Sequence, residues 1–133
     1  MKTILVERLK ELNLTIATAE SCTGGLLAAA ITSVSGASEV ISESIVTYSN
    51  CAKTKYLNVS KNLLLEFTEY SGECAIEMAK GIKDQAKTDI GISTTGIAGP
   101  SGGNDLNPVG TVYIGVSYKN TSFVKMHFEG NKK

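Results

Sequence analysis

Thr15-Ile16-Ala17-Thr18-Ala19-Glu20-Ser21-Cys22-Thr23-Gly24-Gly25-Leu26-Leu27-Ala28-Ala29-Ala30-Ile31 decides how this chain folds. Thr15–Ala19 is short and rich in β-formers, which predicts a strand. Thr23-Gly24-Gly25 breaks that pattern, and the Ala-rich run from Leu26 to Val34 reads as a helix, stopped by Ser35-Gly36-Ala37. A strand, a glycine turn and a helix in succession place Glu20, Ser21 and Cys22 at a strand's carboxyl end, facing a helix N-terminus.

Upstream, Val6, Leu9 and Leu12 recur at helical spacing with Glu7, Lys10 and Glu11 opposite, so Lys2–Leu12 reads as an amphipathic helix. Downstream, Ser44–Tyr48 reads as a second strand. Ser49 or Asn50 can cap a helix over Cys51–Leu57, and Ser60 a short one through Phe67. Ser71–Ala86 has apolar positions at Cys74, Ala75, Met78, Ala79, Ile82 and Ala86, with acids early and lysines late, as a helix dipole favours. Asp89–Ser93 suits a buried strand, Thr95–Asn107 a glycine-rich loop, and Thr111–Tyr118 with Ser122–Phe128 a hairpin around Lys119-Asn120. Helices interleave with strands early and two strands adjoin at the end. The expectation is one α/β domain over residues 1–133, a three-layer α/β/α sandwich on a mixed, mostly parallel sheet.

Bulk composition removes several function classes. The chain has 133 residues, enough to bury a core without staples, and 13 basic residues balance 13 acidic ones. Nucleic-acid binders draw affinity from a basic excess that is absent here, so no nucleic-acid partner is expected. Arg8 is the only arginine, which excludes a bidentate arginine cluster. Three cysteines and one histidine, without CxxC or zinc-ligand spacing, argue against a metal site and a disulfide framework. No signal peptide is visible, and Gly24–Ile31 is far too short to span a bilayer. A cytoplasmic protein without membrane contact is expected.

Three constellations can carry chemistry. Ser21, mounted before two glycines and a helix, sits where an exposed nucleophile is commonly placed. The N–H groups that follow it can form an oxyanion hole, although a plain Ser/Thr-rich cap has the same local pattern. Cys22 is a rival nucleophile unless it points into the core. Glu20 either orients Ser21 or ends the strand. In Tyr48-Ser49-Asn50-Cys51-Ala52-Lys53, the lysine falls in a helix's first turn, where the dipole disfavours the ammonium. It is a candidate base for the serine, with Tyr48 beside it, or a plain surface lysine next to a half-buried tyrosine. Lysine's ordinary pKa of about 10.4 means that such a base must be desolvated. Gly96-Ile97-Ala98-Gly99-Pro100-Ser101-Gly102-Gly103 can present main-chain donors to a phosphate or ribose, or serve as a flexible connector. It is neither a Walker A loop nor a dinucleotide fingerprint. Cys51 and Cys74 read as packing residues, and His127 as structural.

Together and in this order, these segments resemble the CinA C-terminal domain family, whose stand-alone members are nicotinamide mononucleotide deamidases. The resemblance rests on Thr18-Ala19-Glu20-Ser21-Cys22-Thr23-Gly24-Gly25, on Val46-Thr47-Tyr48-Ser49-Asn50 with Lys53, on Gly96-Ile97-Ala98-Gly99-Pro100 with Gly102-Gly103, and on Pro108-Val109-Gly110-Thr111-Val112. It implies an amidohydrolase that converts nicotinamide mononucleotide to nicotinic acid mononucleotide and ammonia. Ser21 would be the nucleophile, Lys53 its base and Tyr48 an assistant, without cofactor or metal. Glu20, Thr23, Gly24, Gly25, Gly96, Ala98, Gly99, Gly102 and Gly103 would bind the nucleotide.

The chain departs from the family pattern at three places. Thr95 stands for a Ser, and Tyr70 for a Val before the long helix, which alters a pocket wall. Gly130-Asn131-Lys132-Lys133 replaces the closing Gly-Asp-Arg segment and last helix, so Lys132 offers a point charge without arginine's fork. An uncovered sheet and a homodimer are the expected consequences. The alternative is a non-catalytic nucleotide-binding or regulatory domain, associated with competence or damage.

Overall fold

The computed structural model describes residues 1–129, so the reading of Lys132 and its neighbours lies outside the described residues. In chain order the elements are α1 (Lys2–Leu12), β1 (Ile16–Glu20), α2 (Leu26–Thr32), β2 (Ile41–Val46), α3 (Asn50–Leu57), α4 (Lys61–Phe67), α5 (Gly72–Ala86), β3 (Ile90–Gly96), β4 (Thr111–Ser117) and β5 (Thr121–His127). One five-stranded sheet has the order β2-β1-β3-β4-β5. The β1 strand is parallel to β2 and β3, while β4 runs antiparallel to β3 and β5. Helices cover both faces, so the three-layer mixed architecture is as the element order predicts.

Alternation along β1 divides the core in two. Ile16 joins Val6, Leu9, Ile31, Val40 and Ile41 beneath α1 and α2. Ala17 and Ala19 face the other way and pack with Leu57, Val59, Cys74, Met78 and Ile82 beneath α3 and α5. Helix α5 lies very close to the sheet. A Cβ added at Gly115 would strike the Ala75 carbonyl, and Ser93 Oγ donates to that same carbonyl at 2.5 Å. On its outer side, Gly81 lets α5 meet the Leu57 carbonyl of α3.

Two strands differ from expectation. Strand β2 starts at Ile41 and ends at Val46, because Ile16 N donates to the Val40 carbonyl and draws the preceding turn into the sheet. Its pairing with β1 is irregular: Ile16 lies opposite Ile41, yet Thr18 lies opposite Ser44. Strand β3 runs on past Ser93 through Thr94 and through Thr95 and Gly96, which read as loop, because β4 pairs with them through Ile114, Tyr113 and Val112. Helix α2 is shorter than predicted and ends at Thr32.

Away from α5, β4 and β5 present apolar side chains to solvent. Val116, Val124, Met126 and Phe128 are 36%, 54%, 40% and 51% exposed. No helix among the described residues is long and apolar enough to cross a membrane.

Candidate active site

The alternation that splits the core also sends Glu20 and Ser21 to opposite faces. Glu20 is 1% exposed and turned toward α2. Its Oε1 accepts from Thr23 Oγ1 (2.5 Å), Gly25 N (3.2 Å) and Leu27 N (2.9 Å), and its Oε2 from Ala28 N (2.9 Å). Thr23 Oγ1 also lies 2.7 Å from Thr94 Oγ1, and Gly24 N donates to the Ser21 carbonyl. Gly24 and Gly25 take φ of +60° and +108°, the left-handed turn that reverses the chain into α2. The helix N-terminus is therefore capped from within by Glu20. This corrects the expectation that its N–H groups serve as an anion cradle, and it gives Glu20, Thr23, Gly24 and Gly25 the work of holding the turn.

Ser21 points toward α3 and is buried, its N–H donating to the Thr94 carbonyl at 3.0 Å. Helix α3 begins at the cap Ser49, whose Oγ accepts from Ala52 N at 3.1 Å. That start carries Lys53 inward. Lys53 is 1% exposed, and its Nζ stands 3.1 Å from Ser21 Oγ, 3.0 Å from the Thr47 carbonyl and 3.5 Å from the Tyr48 carbonyl. Burial lowers its pKa below the ordinary lysine value, against opposing influences from Cys74, Glu69, Cys22 and Tyr48. A neutral amine has two N–H donors and one lone pair. Here the two carbonyls can take the donors, and the serine hydroxyl can donate to the lone pair.

Around this pair lies a cavity of about 230 Å³, lined by Ser21, Cys22, Tyr48, Lys53, Glu69, Tyr70, Gly96, Ile97, Ala98, Gly99 and Ser101. The predicted residues Ser21, Tyr48, Lys53, Gly96, Ala98 and Gly99 thus meet in one wall. Gly102 lines the adjoining cavity, and Gly103 packs against Val109. Tyr48 is 62% exposed, more open than the half-buried tyrosine expected, because its strand has ended before it. Cys22 opens into the cavity and does not turn to the core. Burial raises its thiol pKa, opposed by the Cys22 N–H, Lys53 and the Thr23 N–H. Cys51 is exposed, not a packing residue, since it sits on the outer side of α3, while Cys74 is buried. His127 stands 3.0 Å from the Val109 carbonyl, at the end of β5 opposite Thr111, and does not line this cavity.

Two wall residues, Glu69 and Tyr70, come from the segment between α4 and α5. Asn50 Nδ2 donates to Glu69 Oε2 at 2.5 Å, and Thr95 Oγ1 to the Glu69 carbonyl at 2.6 Å. The sequence offered one signal for them, the tyrosine where the family pattern has valine. An adjoining cavity of about 740 Å³ shares Glu69 and Tyr70 and adds Phe67, Leu106, Tyr113 and Phe123.

Residues 1–133 match the family model described as the CinA C-terminal domain. A Clostridium botulinum protein named as competence-damage inducible is 51% identical over 131 residues, 98% of this chain but 31% of its own length. A CinA-like protein of Kosmotoga olearia is 52% identical over 125 residues, 94% of this chain and 30% of its own. The chain thus spans about a third of the curated relatives it matches. A crystal structure of a CinA superfamily protein from Escherichia coli superposes with a TM-score of 0.93 at 37% identity, covering 98% of this chain and 76% of that one. A competence damage-inducible protein A structure from Klebsiella pneumoniae gives 0.94 at 35%, covering 98% and 81%.

Proposed function

This chain belongs to the CinA C-terminal domain family, and from that premise we propose that it is an amidohydrolase acting on nicotinamide mononucleotide through Ser21 and Lys53. One observation carries the reading: a buried, desolvated amine stands 3.1 Å from a serine hydroxyl at the mouth of a cavity. Neutral Lys53 takes the hydroxyl proton as Ser21 Oγ bonds to the carboxamide carbon. The oxyanion that forms is assigned to main-chain N–H groups of Cys22 and of Ala98–Gly99, which border the cavity. The lysine then hands its proton to the departing nitrogen, the C–N bond breaks, and ammonia leaves. Water attacks the acyl-serine, Lys53 accepts its proton, and collapse returns that proton to Ser21 as the carboxylic acid departs, to ionise by giving its own proton to ammonia. The sum is amide plus water giving acid plus ammonia. Tyr48, beside the lysine, holds the base in place through its carbonyl and borders the substrate through its ring.

Ammonia release from nicotinamide mononucleotide tests the proposal. Ser21→Ala and Lys53→Arg are each expected to lower turnover by on the order of a thousandfold, arginine being unable to give up its proton. Wild-type rates in either variant would remove that residue from the mechanism. Nucleotide binding without any ammonia would instead support the non-catalytic regulatory reading, which the relatives' competence-damage names favour. The same proposal places the protein in the cytoplasm as a homodimer, the latter supported by the exposed apolar strip on β4 and β5 and checked by sedimentation.

A further inference from the structure

Resting on the amidohydrolase reading for the reacting group, we infer that Glu69 is a specificity-determining residue of this cavity. It selects a ring that carries positive charge, a ring-N-substituted pyridinium carboxamide over a neutral pyridine carboxamide. Of the side chains lining the cavity, Glu69 is the one carboxylate, and it is flanked by the phenols Tyr48 and Tyr70. A carboxylate attracts a cation by its charge, and aromatic faces attract it by their quadrupole. A neutral ring gains only the stacking. Glu69 is also held in place: Asn50 anchors its carboxylate at 2.5 Å and Thr95 its carbonyl at 2.6 Å. The adjoining cavity, which shares Glu69, is also lined by Glu66, Glu73 and Lys125.

Lys53 is the amine of the cavity: burial disfavours its charged form, whereas Cys74, Glu69 and other neighbours favour it. A pyridinium seated against Glu69 neutralises that carboxylate. A bound cation therefore weakens one of the influences that favour the ammonium, in the direction that activation of Ser21 requires. A neutral ring provides no such effect.

The test has two arms. In a Ser21→Ala background, calorimetry compares the ring-N-methyl cation of nicotinamide with nicotinamide itself. The cation is expected to bind roughly tenfold more tightly, the scale of one partly exposed charge pair plus a cation–aromatic contact. Glu69→Gln should erase that preference and Glu69→Asp restore part of it, with thermal midpoints unchanged. In the second arm, Glu69→Gln in the otherwise native chain should raise KM for nicotinamide mononucleotide more than it lowers kcat. An equal preference for both rings in the parent, or one that survives Glu69→Gln, overturns the assignment of Glu69. Absence of ammonia from the native chain with charge preference intact overturns the amidohydrolase reading alone.

Discussion

Replacing Glu20 by glutamine exchanges one oxygen for an NH₂ group and should cost a large part of the domain's stability. The carboxylate accepts four hydrogen bonds, three at Oε1 and one at Oε2, and three of the donors are main-chain N–H groups at the start of α2. Glutamine can keep its oxygen at the Oε1 position, but its NH₂ then meets the Ala28 N–H. That strands one donor, at about 1–3 kcal/mol. The three remaining bonds change from charge-assisted to neutral and lose roughly half their strength, together about 1.5 kcal/mol. The helix terminus also loses a negative charge, worth about 0.5 kcal/mol. The sum is about 3–5 kcal/mol, against a total of about 5–15 kcal/mol for a domain of this kind. Urea unfolding followed by circular dichroism reads it directly, and the thermal midpoint should fall by about 10–20 °C. A loss below about 1 kcal/mol would refute the claim that this carboxylate caps the turn carrying Ser21.

Lys53→Met should equal or exceed the native chain in stability near neutral pH by up to about 1 kcal/mol, while losing turnover, because a desolvated amine serves chemistry at the fold's expense. Its folded pKa lies below the ordinary value, so the unfolded chain binds more protons between the two. Native stability should therefore climb relative to Lys53→Met as pH rises toward about 10. Paired urea titrations near neutrality and at about pH 9.5 measure that slope, and parallel curves would count against a depressed lysine. Cys22→Ala should keep ammonia release within roughly threefold of native, a change below about 1 kcal/mol in the barrier, since the amine contacts Ser21 and burial keeps the thiol protonated. A loss as deep as that of Ser21→Ala would make the sulfur the nucleophile.

What was legible in the sequence was what short-range chemistry controls. Ser49, Ser60 and Ser71 announce helix starts, and each accepts a bond from the N–H three residues on. The glycine turn after Ser21 and the apolar periodicity of α5 were equally plain, but local pattern left Ser21 and Lys53 as candidates beside plainer readings, and their roles came from the family resemblance. Long-range pairing was not legible. Thr95 and Gly96 look like loop until β4 lies beside them, and Glu20 looks like a partner of Ser21 or a plain strand end until strand alternation sends it beneath α2. Glu69 and Tyr70 carry no local motif. The segment holding them reaches the cavity because Asn50 and Thr95, distant in sequence, tether it there.

Where β2 runs beside β1, three steps from Ile41 to Ser44 face two from Ile16 to Thr18, so β2 carries one residue more than the ladder needs. Deleting Glu43 would let the two strands run evenly with Ile41 still opposite Ile16 and Ser44 still opposite Thr18, so Val46 and the root of α3 would keep their places. The surplus residue is slack taken up ahead of the reactive pair, and a one-codon deletion there should leave hydroxyl and amine as neighbours.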